Sequence, residues 1–199
     1  MSNILPGRIG SNIESVTKGD GRLSARIHQL NISPGGVPKV PVPEATVTEL
    51  GLVGDDHRFP EFHGGPDRAL CLFSLELIAE LQAEGHPIFP GSTGENVTVS
   101  GLDWEQLIPG VRLKLGDEVE IEITEYTTPC KIIGASFVNG DFTRISQKVH
   151  PGQSRVYARV LRTGRLAAGQ MVSLVDWPRP TEAKHIASSI NKVKAFISK

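Results

Sequence analysis

Cys130 lies in the run Thr127-Thr128-Pro129-Cys130-Lys131. It follows Val119-Glu120-Ile121-Glu122-Ile123, whose alternation of apolar and charged residues is that of a half-buried strand. Pro129 removes a backbone donor and biases Thr128 toward extended geometry, so the cysteine falls in a loop just beyond the strand. A thiol presented there beside a lysine is placed to ionise, and the thiolate is both the nucleophile and the soft metal ligand. The plain alternative is a loop cysteine with no chemistry. Cys71 serves as a control: in Ala69-Leu70-Cys71-Leu72-Phe73 it reads as a packed core thiol.

A second group of reactive side chains crowds Gly54-Asp55-Asp56-His57-Arg58 and His63-Gly64-Gly65-Pro66-Asp67-Arg68. Two chemistries suit it. His57, His63 and a carboxylate are metal-ligand types, although their spacing matches no zinc helix or finger. Arg58 and Arg68 offer forked donors to a phosphate, and Gly64-Gly65 lets backbone N–H groups approach it. A salt-bridged surface loop is equally consistent with this composition. A Cys–His hydrolase would need a base near Cys130, and His63 is a candidate once the chain folds. A third stretch, Gly91-Ser92-Thr93-Gly94-Glu95-Asn96, lacks the Lys-Ser/Thr ending of a phosphate-binding loop, which argues against a nucleotide. Glu95 and Asn96 have the donors and acceptors to hydrogen-bond a heterocycle; a tight turn entering a strand is the alternative.

The elements that must position these groups are mostly strands. Apolar runs separated by Gly and Pro (21 and 14 residues) predict strands over 25–32, 46–50, 68–73, 96–99, 111–115, 119–123, 156–161 and 171–175. A break in alternation near Gln29-Leu30 suggests a bulge. Ser74 caps a predicted helix over 75–81 that Gly85 stops. Residues 104–107 suggest a single helical turn, and 131–137 is ambiguous between helix and strand. The fold class expected is mainly β (α+β), a small closed or partly open barrel with a few peripheral helices.

The chain of 199 residues suits one main domain, with a net charge of −1 and no long basic run to attract nucleic acid. No apolar run is long enough to span a bilayer, and the N-terminus lacks a hydrophobic signal core, so a cytoplasmic protein off the membrane is expected. The organisation expected is an extension at 1–20, a domain at 21–177 and an amphipathic helix at 178–199. In that last segment Ile186, Ile190, Val193 and Ile197 form one stripe, suited to docking on the domain or to a homodimer contact.

Taken together, several of these stretches resemble the MOSC domain, named for the C-terminal region of molybdenum cofactor sulfurase. They are Ser33-Pro34-Gly35-Gly36-Val37-Pro38-Lys39, Gly51-Leu52-Val53-Gly54-Asp55, His63-Gly64-Gly65-Pro66-Asp67-Arg68-Ala69, Gly94-Glu95-Asn96-Val97-Thr98, Leu115-Gly116-Asp117, Thr128-Pro129-Cys130 and Arg155-Val156-Tyr157-Ala158-Arg159-Val160. They run in the family's order over about residues 25–176. The similarity is greatest to short bacterial members related to the hydroxylaminopurine-resistance proteins.

The resemblance implies a molybdenum cofactor (molybdopterin) and a small N-hydroxylated substrate. Cys130 would ligate molybdenum and His63 would donate a proton. Lys39, Arg58 and Arg68, with the Gly64-Gly65 backbone, would hold the pterin phosphate, and Glu95 and Asn96 the pterin edges. The chain carries no ferredoxin cysteine cluster, so electrons would come from a separate donor protein. Two alternatives stay open: a sulfur carrier with a persulfide on Cys130, and a non-catalytic cofactor-binding module.

Overall fold

The computed structural model describes residues 24–56 and 64–176. The expected N-terminal extension and tail helix lie outside these residues, as do His57, Arg58 and His63. Among the described residues there are eleven strands: β1 (Arg26–Ile32), β2 (Val40–Val42), β3 (Glu44–Thr48), β4 (Gly51–Leu52), β5 (Leu70–Ser74), β6 (Val97–Ser100), β7 (Arg112–Leu115), β8 (Val119–Tyr126), β9 (Val156–Arg162), β10 (Gly164–Ala167) and β11 (Val172–Asp176). One α-helix, α1 (Leu75–Ala83), and five 3₁₀ segments complete them. The strands missed in the sequence, β2, β4 and β10, have two to four residues each, too few for an alternation to register.

Eight strands form one sheet in the order β11-β7-β8-β9-β5-β6-β1-β2; β10, β3 and β4 form a second. Every pairing in the large sheet is antiparallel except β5 with β6. A parallel pair needs a crossover, and α1 supplies it. Its N-cap is Ser74, whose hydroxyl accepts from the Leu77 N–H at 3.3 Å, and Gly85 follows its end at φ +93°, as the sequence suggested.

The mainly β reading stands, with a correction to its closed form. The large sheet is not a continuous barrel. β11 approaches β1 through a single bridge, Arg26 with Met171, supported by Ile27 N–H donating to the Gln170 carbonyl at 2.9 Å and Val172 N–H to Ala25 at 2.8 Å. The irregularity in β1 falls between Ile27 and Gln29, just before the expected place.

Alternation decides the core. Val119, Ile121 and Ile123 of β8 are fully buried while Glu120 and Glu122 remain half-exposed. They join Leu113, Leu115, Leu70, Leu72, Val97 and Leu30 in one apolar cluster. Each such side chain contributes about 1.5–3 kcal/mol on burial, which holds the sheet beneath the site. No helix among the described residues is long and apolar enough to cross a membrane.

Candidate functional site

β5 and β9 lie side by side at the centre of the large sheet, with Leu70 opposite Ala158, Cys71 opposite Tyr157 and Leu72 opposite Val156. Directly opposed residues share a face, and successive residues alternate faces. Leu70, Leu72, Val156 and Ala158 therefore enter the apolar core, while Cys71 and Tyr157 point the other way and line a cavity of about 90 Å³. The space is enough for several water molecules or a small ligand group.

Three loops complete its wall. β8 runs on into Thr127, whose N–H donates to the Arg155 carbonyl at 2.9 Å, and Cys130 then stands in extended geometry (φ −137°, ψ 171°) at the head of the 3₁₀ segment Lys131–Ser136. Buried Ile133 anchors that segment, and Ser136 Oγ donates to the Ser92 carbonyl at 3.1 Å, tying it to the 91–95 turn. That turn is built around a carboxylate. Glu95 Oε1 accepts from the Gly91 N–H at 2.6 Å and Oε2 from the Thr93 hydroxyl at 2.7 Å. Glycine is required at both ends. Gly91 has φ +88°, and a Cβ there would sit 2.5 Å from the Lys39 carbonyl oxygen; Gly94 has φ +85°, and its Cβ would meet Val37 at 2.9 Å. The close approach at Gly91 lets its carbonyl accept from the Lys39 N–H at 2.9 Å. Lys39 and Val37 are thereby held on the cavity wall.

Cys130, Lys39, Cys71 and Arg155 thus share one cavity although they come from four separate stretches of chain. The MOSC domain family matches residues 60–173. The chain belongs to that family. Over 135 residues it is 30% identical to a reductase of Gibberella moniliformis, a match covering 65% of this chain but 23% of that protein. Over 148 residues it is 28% identical to protein YiiM of Escherichia coli, covering 72% of this chain and 65% of YiiM. The chain therefore spans less than two thirds of either relative. Among solved structures, YiiM from Geobacillus stearothermophilus superposes with a TM-score of 0.63 at 23% identity, covering 78% of this chain and 77% of that one. YiiM from Escherichia coli gives 0.57 at 26% identity, covering 76% and 70%.

Against this MOSC frame, the residues singled out in the sequence divide into three groups. Cys130 and Lys39 line the cavity. Lys39 is buried, and its Nζ donates to Asp55 Oδ2. Asp55 is a hub: Oδ1 accepts from the Ser33 N–H at 2.9 Å, and Oδ2 also accepts from Asn96 Nδ2 at 2.8 Å.

Glu95, Asn96, Arg68, Gly64 and Gly65 do not line the cavity. Glu95 and Asn96, expected to grip a heterocycle, are fully buried and spend their polar atoms within the protein. Glu95 holds its own turn. Asn96 Oδ1 accepts from the Cys71 N–H at 3.1 Å, and its Nδ2 serves Asp55 and the Asn31 carbonyl. Their polar atoms are thus bonded within the fold, those of Glu95 inside its own turn and those of Asn96 to the Cys71, Asn31 and Asp55 segments. Arg68, expected to bind phosphate, is drawn instead to Glu125 and lies over the Tyr157 ring at 5.5 Å from its centroid. The Glu125 carboxylate holds its guanidinium pKa above the usual value. Gly64 and Gly65 lead into the 3₁₀ turn Pro66–Arg68. Arg58 and His63 lie outside the described residues.

Sequence reasoning did not place Cys71, Tyr157 or Arg155 on the cavity wall. Cys71 is buried, as expected, but faces the cavity rather than the apolar cluster. Burial pushes its thiol up to about 11, and the charge of Arg155 only partly offsets this. Burial likewise pushes Tyr157 up to about 12. Arg155 itself lines the cavity, and its Nη1 donates to the Thr93 carbonyl. The available signal was the period of two: in a strand buried on both faces, Cys71 cannot share a side with Leu70 and Leu72.

Proposed function

We propose that this MOSC protein binds a molybdenum cofactor through Cys130 and reduces N-hydroxylated small molecules. The place of Cys130 on the wall of the central cavity, beside buried Lys39, carries this reading. A half-buried thiol is a soft donor, the type molybdenum takes alongside dithiolene sulfur. No group of three or more His, Cys, Asp or Glu side chains converges as a metal site among the described residues. A metal held at Cys130 would thus draw its remaining ligands from the cofactor. The donor set fits such a group: one soft sulfur and one buried ammonium, whose three N–H donors exceed the single tie to Asp55.

When bound, the cofactor supplies two-electron redox chemistry. The overall reaction breaks the substrate N–O bond, leaves an N–H and releases water, and it consumes two electrons and two protons. The electrons come from a separate donor protein. His63 is the proposed proton donor. Lys39 and Arg58 are the proposed phosphate ligands; Arg68 is committed to Glu125 and is not among them. Val37 and Ile133 give the cavity an apolar wall, which limits water around the reacting bond.

The test is reduction of a simple hydroxylamine by protein purified anaerobically from a host that makes the cofactor. Wild type with an artificial electron donor should turn over, and Cys130→Ser should not. Activity in wild type equal to that of cofactor-free protein would end the reductase proposal. A native mass increased by one sulfur on Cys130, with no metal, would favour the sulfur-carrier alternative.

A further inference from the structure

Arg155 is only 7% exposed, yet no described carboxylate lies within ion-pairing distance of it. Its Nη1 is used by the Thr93 carbonyl, but its Nε is buried with no hydrogen-bond partner. The other buried side-chain atom without a partner among the described residues is the hydroxyl of Thr127, whose N–H donates to the Arg155 carbonyl. Folded proteins satisfy nearly all such groups, and a buried charge without a partner is costlier still. The other cation on the cavity wall, Lys39, is already matched by Asp55. Arg155 also bonds the Cys71 thiol, but burial holds that thiol's pKa at about 11, so it brings no negative charge near pH 7.

We propose that Arg155 binds a carboxylate carried by the small molecule that enters the cavity, a role separate from the phosphate contact proposed for Lys39. A guanidinium takes a planar carboxylate side-on through two parallel N–H bonds, and a buried arginine suits that recognition better than a lysine. Asp56 also lines the cavity, but it is exposed and not within ion-pairing distance of Arg155 in any described ion pair; its negative charge adds to the reasons a monoanionic carboxylate is favoured over a dianionic phosphoryl group. Val37 and Ile133 leave the rest of the ligand an apolar surface. This names the substrate class of the proposed cavity and does not depend on the metal.

The test uses the full-length, metal-free chain. Its melting temperature is followed against sodium acetate, with chloride at the same ionic strength as control and inorganic phosphate as a separate arm. In parallel, the rate of Cys130 alkylation is measured with and without acetate. Acetate should raise the melting temperature saturably and slow Cys130 labelling at least several-fold. Arg155→Met should abolish both effects, and Arg155→Lys should retain a weakened one. A merely structural arginine would lower the baseline melting temperature without altering the acetate response. If Arg155→Met fails to fold, the wild-type labelling experiment and Arg155→Lys still decide the matter. Acetate acting no differently from chloride, Arg155→Met responding like wild type, or phosphate alone producing the response would each overturn the proposal. Because no metal is involved, failure here leaves Cys130 ligation standing, and failure of the metal test leaves this site standing.

Discussion

Asn96 grips the peptide of Cys71 from two directions: its side-chain Oδ1 accepts from the Cys71 N–H at 3.1 Å, and its own N–H donates to the Cys71 carbonyl at 2.7 Å. The strand bearing the inner thiol is thereby fixed to the turn that bears Thr93 and Gly94. Asn96→Ala removes an acceptor from a buried N–H and should cost about 1–3 kcal/mol in a denaturant titration. It should also speed Cys71 labelling. A neutral substitution with unchanged labelling would show that the two contacts do not position the strand.

The Lys39–Asp55 pair is almost entirely out of water, with side chains 5% and 2% exposed. Asp55→Ala leaves the ammonium uncompensated and should destabilise the chain by about 3–5 kcal/mol. Adding Lys39→Met should recover part of that loss, since removing both charges from a buried pair costs less than removing one. A double variant no more stable than Asp55→Ala would mean that Asp55 acts through Ser33 and Asn96 instead.

Cys71 makes stability fall at high pH. With its folded pKa near 11, above the ordinary value of 9.0, the native state keeps a proton that the unfolded chain releases. Its contribution is therefore complete below about pH 9 and is lost as the pH rises to about 11, a change of order 2–3 kcal/mol at 1.36 kcal/mol per unit. Tyr157, held near 12 by burial, adds a similar fall one unit higher. Unfolding titrations between pH 8 and 11 should show a shallower decline for Cys71→Ala than for wild type. Identical slopes would contradict the assignment.

The large features were legible because they rest on patterns that packing enforces. The alternation around Ile121 marks β8, and the Ser74 cap with Gly85 marks α1. The Pro129-Cys130 turn placed the outer thiol in its loop, where the structure also has it. The cavity was less legible. A side chain's partner is chosen by tertiary contacts that no local spacing encodes, so Glu95 and Asn96 look like ligand-binding residues in the sequence while the structure has their side chains bonded within the protein. Arg155 looks like the start of a strand; the period of two puts it on the face of Tyr157, but that this face meets the 127–133 loop depends on the pairing of Thr127 with Arg155, across 28 positions. Arg68 was diverted by Glu125, which lies in a strand it meets only on folding.

The central claim is that Cys130 is a metal ligand, and metal content tests it most directly. Wild type, Cys130→Ser and Cys71→Ser should be purified anaerobically from a cofactor-producing host and their molybdenum measured per folded chain. The expected result is a near-stoichiometric content in wild type, strong depletion in Cys130→Ser at unchanged fold, and retention in Cys71→Ser with some loss of stability. Molybdenum held equally by Cys130→Ser and wild type would contradict the account.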